Sequence, residues 1–171
     1  MSLAASDDRL EALIRANASD LLAYLERRID PRADAADVLS ETFIVAWRKA
    51  RTAPTDEIGG RMWLFAIARN LLLNARRSTR RRLAATDRLR HELDHPPAPT
   101  DDLETLAVRD AVAQLPAALR ELVELVHWEG FSIVEAAQVS GVSASTARSR
   151  YASAKGRLRI ALATETEDSI R

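Results

Sequence analysis

The stretch Phe131 to Arg159, FSIVEAAQVSGVSASTARSRYASAKGRLR, leaves little freedom in how it can fold, because the start and stop signals of two helices follow each other closely. Ser132 and Glu135 have capping-box spacing, in which the hydroxyl accepts from the Glu135 amide and the carboxylate accepts from the Ser132 amide. A helix is therefore predicted from Ile133. It must stop near Gly141, since glycine tolerates the left-handed backbone of a tight interhelical turn. Ser143 is placed to cap a second helix, in which Ala147, Tyr151, Ala154 and Leu158 recur as an inward stripe. Ala136 and Ala137 are small enough to let the two helices approach. The outward face carries Ser145, Thr146, Arg148, Ser149, Arg150, Lys155, Arg157 and Arg159, with no acid between Ser143 and Ile160. This is the pattern of a helix-turn-helix whose second helix can enter DNA, with hydroxyls and Arg148 near its start for base edges and later cations for phosphates. Two capped amphipathic helices about a glycine also build ordinary all-α cores, and a basic face can be merely solvated. Turn spacing and one-sided charge together point to nucleic acid.

A nucleic-acid partner has to be squared with a formal net charge of zero. The charge is unevenly spread: residues 61–90 hold nine arginines against the single acid Asp87, and residues 92–104 hold five acids and no lysine or arginine. A neutral chain can thus present strongly basic surfaces locally. The 171 residues, 47% of them hydrophobic, suffice for one domain or two small ones. The absence of cysteine excludes disulfides, thiol catalysis and cysteine-bearing zinc sites, and fits a reducing compartment. Asp7, Asp8, Arg9, Glu11 and Arg15 argue against a signal peptide, and no apolar run reaches membrane-spanning length. A cytoplasmic protein without membrane insertion is expected.

In chain order, Ser6 is placed to cap a helix whose inward side is Leu10, Leu13, Ile14, Leu21, Leu25 and Ile29, with a break suggested at Asn17 to Ser19. Asp30-Pro31 ends it, and Asp34 is placed to cap the next helix, Ala35 to about Lys49. Val38, Leu39, Thr42, Val45 and Ala46 face inward there, while Asp37, Glu41 and Arg48 fall on another side. The carboxylate pair can be read as a solvated face, a docking surface or an acid-base pair; no histidine or cysteine accompanies it to make a metal site. Arg51 to Gly60 reads as a loop because of Pro54 and the glycine pair. Arg61 to Arg82 follows as a helix with Trp63, Leu64, Ile67, Leu71 and Asn74 on one face and with Arg69, Arg76, Arg77, Arg80, Arg81 and Arg82 supplying charge. Five arginines in seven residues exceed what a helix dipole calls for, so phosphate binding is expected. Trp63 and Phe65 could stack on unpaired bases or simply sit in the core.

Ala84 to Thr100, with charged residues, His91, His95 and three prolines, has the composition of a tether. The histidines are a poor metal pair beside PPAP. Thr100 is then placed to cap a helix with Leu103, Leu106, Ala107, Val108 and Ala111 inward, and Leu115-Pro116 opens another with Leu119, Leu122, Val123 and Val126 inward, closing at Gly130. The predicted fold is all-α: a helical domain over residues 1–83, a flexible linker over 84–100, and a four-helix unit with a helix-turn-helix over 101–171. Three scattered histidines and no nucleophile constellation give no enzyme, and no cofactor or metal is expected.

These segments, in this order, resemble the bacterial RNA polymerase sigma factors of the extracytoplasmic-function group, within the sigma-seventy family. DAADVLSETFIVAWRKA is similar to the family's core-polymerase-binding helix, RMWLFAIARNLLLNARRSTRRR to its promoter-melting helix, and LPAALRELVELVHWEGFSIVEAAQVSGVSASTARSRYASAKGRL to its second domain. The chain departs from the common pattern at Ala152 and Ser153. The resemblance implies a promoter-specificity subunit that performs no chemistry itself. Asp37, Glu41, Trp47 and Arg48 would belong to the surface docking on the clamp helices of the beta-prime subunit of core RNA polymerase. The loop before Arg61 would capture a flipped base of the −10 element, with Arg61, Trp63, Arg69, Asn70, Asn74, Arg76, Arg77, Arg80 and Arg81 serving −10 recognition and melting. Ser143, Ser145, Thr146, Arg148, Ser149, Arg150, Lys155 and Arg157 would read the −35 element. Promoter DNA and an anti-sigma protein are the implied further partners. The rival readings are a sigma mimic that sequesters an anti-sigma protein and a stand-alone helix-turn-helix regulator.

Overall fold

The computed structural model describes the backbone of residues 3–86 and 103–168 and, within them, the side chains of residues 7–77 and 107–163. The chain divides into two compact units, Met1–His95 and Pro96–Arg171, and the regular structure among the described residues is entirely helical.

In the first unit, α1 (Leu3–Glu26), α2 (Ala35–Arg48) and α3 (Glu57–Thr86) pack on one another. α1 buries Leu10, Asn17, Leu21, Tyr24 and Leu25, a three-and-four spacing that keeps one side inward. Ser6 lies inside α1 and is not its cap. Nor does the helix break at Asn17, whose side-chain amide donates to the Leu13 carbonyl at 2.8 Å, finding its partner within the helix. α1 ends at Glu26, short of Ile29. Arg28 closes it by donating to the Tyr24 carbonyl at 3.0 Å with its guanidinium 3.9 Å above the Tyr24 ring.

α2 follows a single 3-10 turn, Arg32–Asp34. Asp34 occupies the cap position but makes no capping bond, because its backbone (φ −73°, ψ −12°) is already helical and a capping side chain needs an extended one. Thr42, fully buried, donates to the Val38 carbonyl at 2.7 Å. The loop before α3 is shorter than Arg51 to Gly60. Asp56 accepts from the Gly59 amide at 2.7 Å, so Glu57 to Gly60 form the first turn of α3. Gly60 is buried against Leu13: a Cβ there would stand 2.8 Å from Leu13 Cδ1. The glycine therefore serves close approach of α1 and α3. α3 runs through Thr86, past residue 83 where the sequence ended the first domain. Its inward face is Leu64, Phe65, Ile67, Ala68 and Leu72, rotated from the predicted one, with Trp63 and Leu71 half-buried and Asn74 exposed. Phe65 is core, meeting Tyr24 edge-to-face with centroids 5.3 Å apart.

The second unit holds α4 (Leu103–Ala113), α5 (Ala117–His127), α6 (Ile133–Ser140) and α7 (Ala144–Asp168). Thr100, His91 and His95 lie outside the described residues. In this unit Val112, Leu115, Val123 and Ala154 form one buried cluster, with Leu119, Tyr151 and Leu158 packed against it, and Leu122, Leu125, Phe131, Ala136, Ala137, Val139 and Ala147 are buried as well. Val108, placed inward from the sequence, is 38% exposed, while Ala111 and Val112, one turn further on, are buried. Gly130, at φ 72°, lets the Phe131 amide reach back to the Leu125 carbonyl at 3.0 Å and close α5.

Candidate nucleic-acid interface

The helix-turn-helix forms as its caps predict. Ser132 and Glu135 make both capping-box bonds, with the Ser132 amide 2.7 Å from Glu135 Oε2 and the Glu135 amide 3.3 Å from Ser132 Oγ. At the far end Gly141 takes φ 67°, and the amides of Val142 and Gly141 donate to the carbonyls of Ala137 (3.0 Å) and Gln138 (3.2 Å). This double bond pattern is a Schellman closure, and it leaves a three-residue turn before α7. Ser143 then accepts from the Thr146 amide at 3.1 Å and also touches the hydroxyls of Ser145 (2.9 Å) and Thr146 (2.8 Å). Ala147 and Ala154 are fully buried, which fixes the rotation of α7 and turns its other side outward.

On that outer side Ser143, Ser145, Arg148, Ser149, Lys155 and Arg157 are exposed, and Thr146 and Arg150 are half-buried. Arg148 and Lys155, seven residues apart, lie within about 20° of each other around the helix axis. One side of α7 thus offers hydroxyls at its N-terminal turn, an arginine one turn in, and a cation two turns beyond it. A helix of this kind fits a major groove, where arginine can pair bidentately with guanine.

The second basic constellation is on α3. Asn70, Asn74, Arg76 and Arg77 are exposed, and Arg69 and Trp63 are half-buried. Arg61 is held by Asp20 of α1 at 2.9 Å and lies over the Phe65 ring at 5.0 Å. Arg76 donates to the Arg28 carbonyl at 2.8 Å, so part of its guanidinium ties α3 to the turn after α1. The side chains of Arg80 and Arg81 lie outside the described residues. Between α1 and the loop before α3 is an open crevice of about 270 Å³, walled by Leu10, Leu13 and Pro54 and edged by Arg9, Asn17 and Asp56.

A third surface, acidic rather than basic, is on α2, where Asp37, Glu41, Trp47 and Arg48 are all exposed. Trp47 (44% exposed) and Ile44 (50% exposed) sit one turn apart and add an apolar element to this acidic side. Ile44 is absent from the sequence-derived set. Its spacing to Trp47, outside the inward stripe, was the signal that could have found it. No group of three or more metal-ligating side chains occurs among the described residues, and none of their helices is long and apolar enough to cross a membrane.

Both units of the chain match known families. Residues 13–82 match the Sigma-70 region 2 family and residues 105–158 match Sigma-70, region 4. The chain is 32% identical over 156 residues to the ECF RNA polymerase sigma factor SigL of Mycobacterium tuberculosis, spanning 90% of this chain and 88% of that protein. Among solved structures, the sigma factor RpoE from Bartonella quintana, in complex with the anti-sigma factor NepR, superposes with a TM-score of 0.70 at 27% identity, covering 91% of this chain and 95% of that one. CnrH, in complex with the cytosolic domain of CnrY, shares the fold at a TM-score of 0.61 and 23% identity, covering 91% and 88%. Two helical units carrying these two regions in this order, with identity to SigL along nearly the whole chain, show that the protein belongs to the extracytoplasmic-function sigma factors of the sigma-70 family.

Proposed function

We propose that this chain is a promoter-specificity subunit that joins core RNA polymerase and directs it to −35 and −10 elements. The observation carrying the reading is the α6–turn–α7 geometry, with its exposed hydroxyls, Arg148 and Lys155 on an acid-free side of α7. In this mechanism α7 docks in duplex DNA at the −35 element: Ser143, Ser145, Thr146, Arg148 and Ser149 face base edges, and Arg150, Lys155 and Arg157 hold phosphates. α3 receives the −10 region, where Arg61, Trp63, Arg69, Asn70, Asn74, Arg76, Arg77, Arg80 and Arg81 favour the separated strand. The apolar crevice beside the loop before α3 supports capture of an extruded base there. Asp37, Glu41, Trp47 and Arg48 on α2 dock on the clamp helices of the polymerase beta-prime subunit. Residues 1–83 and 101–171 act as two domains on a tether, so each raises the effective concentration of the other on DNA. Polymerase supplies the chemistry and this chain the address. An anti-sigma protein, of the kind bound by the relative RpoE, is the regulator the reading implies.

The test is co-elution with core polymerase on size exclusion, followed by permanganate probing of promoter DNA. The reading predicts a one-to-one complex and reactive thymines at the −10 region only when both proteins are present. A free dimer that binds DNA without polymerase and opens no bubble would instead make it a stand-alone regulator.

A further inference from the structure

His127, in the last turn of α5, stands beside α7. Its Nε2 and the Tyr151 hydroxyl share a hydrogen bond of 2.8 Å, and the two rings are stacked at 22° with centroids 6.0 Å apart. On the next turn of α7 the Lys155 ammonium lies 5.1 Å from the centroid of the same Tyr151 ring. A chain of three residues therefore runs from a helix outside the reading element, through a half-buried ring, to an exposed cation on the outer side of α7.

Each link has a physical consequence. A tyrosine packed by its ring alone can rock about its side-chain bonds, whereas one tied by its hydroxyl cannot. The fixed ring offers its electron-rich face to the ammonium, which limits the sweep of the flexible lysine stem. Tyr151 also lies about 60° around the helix from Arg148 and about 40° from Lys155 on the same side, at 100° per residue. Rotation of α7 that broke the hydroxyl tie would move both residues. The other inward contacts of α7 are Ala147, Ala154 and Leu158, so the hydroxyl tie refines a rotation that burial of the two alanines already sets.

We infer that His127 is a positioning residue for DNA reading, which through Tyr151 refines the rotation of α7 and holds Lys155 for a backbone phosphate. This rests on the reading of α7 as the −35 helix. His127 touches no DNA in this account. Its effect is transmitted, so chemistry at α5 tunes affinity at α7.

The experiment measures binding of the full chain, assembled with core polymerase, to a labelled duplex carrying a selected −35 element and to the same duplex with that element scrambled. His127→Ala and Tyr151→Phe should each weaken binding to the selected duplex about 2- to 10-fold, the range of one neutral hydrogen bond. The double variant should be no weaker than the single ones, because both remove the same tie. His127→Gln, whose amide can reach the hydroxyl, should return affinity to within about twofold of the unsubstituted chain. Lys155→Ala should cost less in the Tyr151→Phe background than alone. Additive losses, no rescue by glutamine, or His127→Ala binding like the unsubstituted chain would overturn the inference while leaving the −35 reading intact. If the unsubstituted chain does not distinguish selected from scrambled DNA, the −35 reading falls, and the role of His127 with it.

Discussion

Gly141 and Gly156 carry the same side chain for opposite reasons. Gly141 sits at φ 67° in the turn between α6 and α7, where an added Cβ meets no neighbour and yet the left-handed backbone itself is strained. Gly141→Ala should therefore cost about 1–2 kcal/mol. Gly156 lies inside α7 with nothing near a Cβ, so Gly156→Ala should stabilise the helix by up to about 1 kcal/mol. Urea denaturation of the free chain checks both signs. Arg148 and Arg157 form a second contrast. In the proposed reading Arg148, one turn into α7, meets base edges, and Arg157, further along, meets phosphate. Arg148→Ala should cost about 1–3 kcal/mol on the preferred −35 sequence and relax preference at adjacent positions, whereas Arg157→Ala should weaken all sequences alike. Selection over randomised −35 elements separates the two outcomes. Local signals of this kind were legible in the sequence: the capping box, the glycine stop and the Ser143 cap each depend on residues within one turn of each other. Gly60 was misread because its reason, Leu13 on α1, is remote in the chain.

Among the helices, α3 shows what charge counting alone leaves out. Some of its arginines also serve the fold, since Arg61 is paired with Asp20 and Arg76 is tied to the Arg28 carbonyl. Arg77→Ala should lower the slope of log affinity against log salt by about one unit, the signature of one phosphate contact. Arg76→Ala should in addition lower thermal stability, because a bond joining α3 to the turn after α1 is lost. An unchanged slope for Arg77→Ala, with unchanged permanganate reactivity, would remove α3 from the DNA surface. On α2 the prediction concerns charge and apolar surface together: Asp37→Lys with Glu41→Lys should weaken capture of core polymerase in a pull-down titration while helicity by circular dichroism stays the same. The sequence placed the inward stripe of α2 correctly at Thr42 and Ala46. On α3 it placed Leu64 and Ile67 inward correctly but set Leu71 and Asn74 on the same face, where Leu71 is half-buried and Asn74 exposed, and the Tyr24 ring that receives Phe65 belongs to another helix.

Over the whole molecule, zero net charge coexists with two basic helix faces, so binding to promoter DNA should be local in origin and strongly dependent on salt. The all-α class and the helix-turn-helix were legible because helical period and caps are written in neighbouring residues. The tie between α5 and α7 through His127 and Tyr151 was not, since only packing brings those side chains together. The central claim is that this chain supplies polymerase with an address, and it is tested most directly by transcription in vitro from a template library randomised over the −35 and −10 regions. Core polymerase with this chain should enrich transcripts whose templates share two sequence blocks at a fixed separation, and core polymerase alone should not. The same unselected spectrum of transcripts with and without the chain would contradict the account.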